Sequence, residues 1–205
     1  MSLPAPVRLH EAEPEVPVVG TPGDEELVRR LVNGDSWARE ALYRRHFATV
    51  WGTALRLLGS RTEVEDVVQD TFITAFADIR ALRDPNALAA WLLRVTVNQV
   101  HRRHRYRRLH RMFGLDRRVE DGTLELLVDE GADPELRLEL AQLDRVLRGL
   151  PLGQRIAWML RRVDGHSLEA VAAACNCSLA TVKRRIRAAD QKVRRHMDVE
   201  EPQDV

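Results

Sequence analysis

Apolar residues recur at three-and-four spacing along nearly all of residues 24–108 and again from 134 to 195, and no stretch shows the strict alternation that a half-buried strand requires. A chain of this pattern buries helix faces, so the sequence predicts an all-α protein. Leu27, Val28 and Leu31 open an apolar stripe that halts at Asn33-Gly34, a helix-stopping pair. Asp35 or Ser36 then caps a long helix. Its apolar side is expected to carry Trp37, Ala41, Leu42, Phe47, Val50, Trp51, Ala54, Leu55 and Leu58, and Gly59 ends it. A third helix is expected from near Thr62 to about Arg80, with Val64, Val67, Val68, Thr71, Phe72, Ala75, Phe76 and Ile79 on one side. After the Asp84-Pro85 turn a fourth runs from about Ala87 into a cluster of arginines. Asp133-Pro134, a capping acid followed by proline at the first helical position, opens a second set of four helices. These are expected over 134–148, 152–163, 168–174 and 179–195.

Length allows one medium domain or two small ones at 205 residues. The distribution of charge favours two. The formal net charge is only +1, yet the signs are strongly segregated. From Arg94 to Arg118 nine arginines face the single acid Asp116. From Val119 to Glu139 eight acids face one base, and from Leu140 to His196 twelve bases face four acids. Two basic blocks separated by an acidic one predict two polyanion-binding surfaces joined by a segment that avoids phosphate. The expected organisation is a disordered N-terminal arm over 1–23, which contains five prolines. A helical domain over 24–112, a flexible acidic linker over 113–133, a second helical domain over 134–197 and a tail over 198–205 follow.

Several classes of function are disfavoured. No run of 18 apolar residues offers a membrane span, and the N-terminus lacks a basic segment followed by an apolar one, so neither membrane insertion nor secretion is expected. The only cysteines, Cys175 and Cys177, are too close for an unstrained disulfide and fit a reducing cytoplasm. With His166 they make an incomplete ligand set, so no metal is expected. No clustered nucleophile and base and no glycine-rich phosphate loop is present; neither catalysis nor a cofactor is expected.

The last two helices carry a more specific signal. Ser167 can cap a short helix with Leu168, Val171 and Ala172 inward, Cys175-Asn176-Cys177 makes the turn, and Ser178 caps the second helix. Asparagine tolerates the left-handed backbone that such a turn needs. Val182, Ile186, Ala189 and Val193 then face the core, leaving Thr181, Lys183, Arg184, Arg185, Arg187 and Gln191 to solvent or DNA. A capped second helix with cations in its opening turns is the pattern of a helix-turn-helix, whose second helix enters the major groove.

Three further segments stand in order along the chain: Glu63-Val-Glu-Asp-Val-Val-Gln-Asp-Thr-Phe72, Ala90-Trp-Leu-Leu-Arg-Val-Thr-Val-Asn98, and Leu150-Pro-x-x-x-Arg155 followed by Gly165-His-Ser-Leu-Glu169 and Ser178-Leu-Ala-Thr-Val-Lys-Arg184. Together they resemble the extracytoplasmic-function (ECF) sigma factors of the sigma-70 superfamily. The resemblance implies that the first domain is a sigma region 2 helical bundle and the second a region 4 helix-turn-helix. It implies core RNA polymerase and promoter DNA as partners, an anti-sigma factor as inhibitor, and promoter-specific initiation as the function. It places polymerase contact on the outer strip Glu65, Asp66, Gln69, Asp70 and Ile73. It assigns capture of the melted −10 strand to Asn86, Arg94, Asn98, His101, Arg102 and Arg105, and −35 binding to Ser178, Thr181, Lys183, Arg184, Arg185 and Arg187. The arginines of 102–111 are expected to grip backbone phosphates as one cluster, and Trp91 is read as core rather than as a base-stacking residue.

The chain departs from the family pattern at Ala170-Val171-Ala172, where an acid often opens the segment, and at Lys183-Arg-Arg-Ile-Arg187, where serine often follows the lysine. The −35 preference therefore does not transfer. Two rival functions remain at this point: a helix-turn-helix repressor or activator that binds DNA without polymerase, and an adaptor that binds polymerase without DNA.

Overall fold

The computed structural model describes residues 22–112 and 133–197, which fall into two compact helical units. The expected arm over 1–23 lies outside the described residues up to residue 21, the expected linker over 113–133 up to residue 132, and the tail over 198–205 entirely. Among the described residues every regular element is helical.

The first unit comprises α1 (Asp24–Val32), α2 (Ser36–Leu58), α3 (Arg61–Ala77) and α4 (Leu88–Met112), with 3₁₀ turns at Ile79–Ala81 and Pro85–Ala87 between the last two. Asp35 caps α2 by accepting the backbone N–H groups of Trp37 and Ala38. Gly59 closes the helix at φ 78°, a left-handed conformation that glycine enters without a Cβ penalty. The core is Leu27, Leu31, Leu42, Ala54, Leu57, Val64, Val68, Phe72, Leu92, Val97 and Val100, all buried. Two expectations shift in phase. Trp37 is 51% exposed, and Leu57 rather than Leu58 is the deeply buried leucine at the end of α2. Over 23 residues the 100° step carries the buried face from Ala38 through Leu42 and His46 to Val50, Ala54 and Leu57, leaving Trp37 outside it.

Polar ties hold these helices in register. His46 Nε2 lies 2.9 Å from Asp24 Oδ2, while Arg45 donates to Asp24 and to the Pro22 carbonyl, joining the start of α1 to the middle of α2. Gln99 donates to Thr74 Oγ1 at 2.9 Å, joining α4 to α3. The buried hydroxyls of Thr71 and Thr96 donate to carbonyls one turn earlier, so neither loses a hydrogen bond on burial.

The second unit comprises α5 (Pro134–Arg148), α6 (Leu152–Trp158) continuing into a π-helical turn at Met159–Val163, α7 (Leu168–Ala174) and α8 (Leu179–Met197). Asp133 caps α5 by accepting the Glu135 N–H. Leu147, Ile156, Met159, Leu160, Val171, Val182 and Ala189 form the core. The wide turn after Trp158 keeps Trp158, Met159 and Leu160 all buried, and the indole N–H of Trp158 donates to Asp190 Oδ1 at 2.9 Å, tying α6 to α8. Leu160 is wholly enclosed. Leu160→Ala is therefore expected to cost about 2–5 kcal/mol. Hydrogen exchange would report it as lost amide protection across 134–197 with protection of 24–112 retained.

Candidate nucleic-acid interface

The helix-turn-helix is formed as the spacing predicts. Ser167 caps α7 by accepting the Ala170 N–H, and Asn176 takes φ 47° in the turn, the one non-glycine residue with positive φ among those described. Ser178 Oγ accepts the Thr181 N–H at 3.2 Å and shares a 2.9 Å hydrogen bond with the Thr181 hydroxyl. Both hydroxyls are thus engaged at the cap of α8. Lys183, Arg184 and Arg187 are exposed on the first three turns of that helix. These three form a cationic face opposite the buried Val182, Ile186 and Ala189.

Arg185 is placed differently from its neighbours. It is half-buried, its guanidinium donates to Cys177 Sγ at 3.5 Å, and it lies over Gly153, where a Cβ would meet its guanidinium carbon at 3.1 Å. The spacing that assigned Arg185 to solvent carried no information about that gap. A signal was available in Gly153, which leaves α6 bare opposite α8. Cys175 is also turned inward, and its burial pushes the thiol up to about 11, so at neutral pH it stays protonated.

Sequence spacing missed a second cationic feature beside this face. Arg161 and Arg162 from the end of the α6 region join Lys183, Arg187 and Arg194 of α8 around a depression of about 490 Å3. Arg162 is neutralised there by Asp190 at 2.7 Å, so the net character remains basic.

In the first unit, the α4 candidates form one stripe. Arg94, Asn98, His101, Arg102 and Arg105 fall at successive steps of four, three, one and three, which keeps them on one side of a continuous helix. Arg94, Asn98, Arg102 and Arg105 are exposed, and His101 is half-buried. Asn86 sits in the turn that feeds α4, where Asp84 accepts both its backbone and side-chain N–H groups. Trp91 is half-buried.

One expectation about this helix needs correction. The arginines of 102–111 do not act as a single free cluster, because Arg103 and Arg107 turn back onto α3. Arg103 Nε donates to Glu63 Oε1 at 3.1 Å and its Nη2 lies 3.1 Å from Asp66, while Arg107 Nε lies 2.5 Å from the same Glu63 oxygen. A contact between residues 40 apart in sequence leaves no local trace in spacing.

The outer strip of α3 is as expected: Glu65, Asp66, Gln69, Asp70 and Ile73 are all exposed, Ile73 at 58%. Beside it the structure adds an apolar groove of about 710 Å3 between α2 and α3, walled by Tyr43, Phe47, Trp51, Phe72 and Phe76, with Glu65, Gln69 and Ile73 on its lining. Tyr43 and Phe72 pack with centroids 4.7 Å apart. Tyr43 escaped the sequence reading because it lies off the buried stripe of α2.

These features define a class: a two-unit helical DNA-binding protein with one helix-turn-helix and a separate acidic, partly apolar face. Comparison with known proteins sharpens it. Residues 42–110 match the Sigma-70 region 2 family and residues 140–193 match Sigma-70, region 4. The chain is 32% identical over 173 residues to the RNA polymerase sigma factor NccH of Alcaligenes xylosoxydans xylosoxydans, covering 83% of this chain and 92% of that one. It is 30% identical to the ECF RNA polymerase sigma-E factor of Haemophilus influenzae, covering 83% and 93%. Among solved structures, that of CnrH in complex with the cytosolic domain of CnrY superposes with a TM-score of 0.62 at 27% identity, over 87% of this chain and 99% of that one. CnrH is a sigma factor of Cupriavidus metallidurans.

The chain belongs to the ECF sigma factors of the sigma-70 family. It serves RNA polymerase in transcription initiation, with core polymerase and promoter DNA as its partners. Among the described residues no helix is long and apolar enough to cross a membrane.

Proposed function

We propose that this sigma factor reads a promoter in two pieces through the faces just described, and that the molecule works without chemistry of its own. The first unit, 24–112, docks on core polymerase through Glu65, Asp66, Gln69, Asp70 and Ile73, with the aromatic groove beside them taking apolar side chains of the same partner. It then captures the melted −10 strand along Asn86, Arg94, Asn98, His101, Arg102 and Arg105. Exposed polar and cationic side chains on one helix face suit a single strand, whose backbone they follow while bases are held at their edges. The second unit, 134–197, reads the duplex −35 element. Lys183, Arg184 and Arg187 enter the groove, Ser178 and Thr181 position the helix start against phosphate, and Arg185 supports the helix from behind.

The observation that carries this reading is the separation of signs on the first unit: an acidic outer strip on α3 and a cationic stripe on α4. A protein that only bound DNA gains nothing from exposed acids, whereas a protein that joins DNA to a basic protein surface needs both. The acidic segment over 113–133 tethers the two units and mimics nucleic-acid charge within the polymerase. Each unit binds DNA weakly alone, and polymerase raises the effective concentration of the second once the first is engaged. The site of action is the cytoplasm. Since CnrH is seen bound to the cytosolic domain of CnrY, an inhibitory protein of the anti-sigma kind is the natural third partner.

In vitro transcription with core polymerase on genomic fragments, with start sites mapped, tests the reading. Starts are expected at a fixed distance from two upstream elements. Inserting five base pairs between those elements should abolish use of the promoter, and unchanged use after insertion would refute two-point reading.

A further inference from the structure

We infer that Glu63 is a positioning residue that divides the arginines of α4 into two functional sets. Arg103 and Arg107 are structural charges, and Arg102, Arg105 and Arg108 form the row that meets nucleic-acid phosphate. This deepens the assignment of α4 to strand capture and rests on it.

Glu63 sits in the first turn of α3 and is buried, with only 7% of its side chain exposed. A carboxylate so enclosed must be neutralised by partners. Arg103 and Arg107, one helical turn apart on α4, both reach its Oε1. Arg103 is committed on three sides: Glu63 at its Nε, Asp66 at its Nη2, and the ring of Tyr106 beneath its guanidinium at 5.9 Å. Drawing either guanidinium onto a phosphate would strand the buried carboxylate. Arg102, Arg105 and Arg108, by contrast, are exposed on the far side of the helix.

The arrangement also explains how a helix this basic holds one orientation. The two bonds from Glu63 lock the C-terminal half of α4 against α3, so the exposed row continues the line set by Arg94 and Asn98. Asp66 links the same lock to the acidic strip, which places one arm of Arg103 on the polymerase-facing side of α3.

The test is the salt dependence with which the full chain binds a labelled single-stranded oligonucleotide, because the slope of log affinity against log salt counts phosphate contacts at about 0.7 each. Arg102→Ala and Arg105→Ala are each expected to lower the slope by about 0.7, Arg103→Ala and Arg107→Ala to leave it unchanged, and Glu63→Gln to raise it by up to about 0.7 as Arg107 is released while Asp66 still holds Arg103. The rise separates positioning from mere support, since a destabilised fold does not add phosphate contacts. Should Arg107→Ala fail to fold, the charge-balanced pair Glu63→Gln with Arg107→Gln replaces it; a slope at or above that of the parent chain supports the division, and a fall of about 0.7 overturns it. If all four alanine variants lower the slope alike, the division is wrong and the reading of α4 stands. If none does, α4 is not the strand-binding face, and the division falls with that reading.

Discussion

Replacing Glu65 and Asp70 together by lysine is expected to weaken binding to core RNA polymerase by roughly 100-fold or more, since like charges brought face to face at an interface cost several kcal/mol. Both residues are exposed on the outer strip of α3 and neither is bonded to the interior. Asp66 is left intact on purpose, because it also holds Arg103 at 3.1 Å and its loss would disturb α4. Titration of a fluorescently labelled chain with core enzyme at moderate salt measures the effect, and circular dichroism confirms that the helices remain. Ile73→Ala on the same strip tests the apolar share of the contact. It should weaken binding more modestly, because one exposed side chain is trimmed and no repulsion is introduced. Undiminished affinity after the double reversal would move the polymerase contact elsewhere on the first unit.

The second large effect is expected at the other end of the molecule. Neutralising Lys183, Arg184 and Arg187 together to alanine removes the exposed cations of the opening turns of α8. At about 1–3 kcal/mol for each well-placed base or phosphate contact, promoter-directed transcription should fall by about 100-fold or more, while core binding is unchanged. The triple change leaves Val182, Ile186 and Ala189 in the core and the Ser178–Thr181 cap intact, so folding is preserved. Arg185→Ala makes an informative contrast. Its side chain packs over Gly153 and bonds Cys177, so its loss should lower the stability of the second unit more than it alters which sequence is read. Full promoter use by the triple variant would favour an adaptor that binds polymerase and leaves DNA to other subunits.

Much of the fold was legible because it is made of local signals. Helix starts at Asp35, Asp133, Ser167 and Ser178 are read from capping chemistry within three residues, and stops at Gly59 and Asn176 from backbone conformations few other residues tolerate. The exposed strip on α3 and the cationic face of α8 follow from subtracting the buried positions on a regular helix. What stayed hidden is long-range. The pairing of Glu63 with Arg103 and Arg107 depends on α3 and α4 lying side by side, and no periodicity within either helix encodes it. The inward turn of Arg185 depends on a bare glycine on a neighbouring helix. The π-helical turn at Met159–Val163 carries no composition signal, although the three buried residues before and within it do mark a stretch without a polar face. On α2 a slip of one residue between Leu58 and Leu57 shows how 23 residues accumulate phase that a short pattern does not reveal.

Neither DNA-reading unit is expected to suffice until polymerase aligns both on one promoter. Permanganate and nuclease footprinting on a mapped promoter decides this by comparing the chain alone, core polymerase alone, and the two together at the same concentrations. Protection of the upstream duplex element together with reactive, unpaired thymines near the start site is predicted only when both are present. Strong upstream protection by the chain alone, with no melting on addition of core enzyme, would contradict it and identify a helix-turn-helix regulator that acts without polymerase.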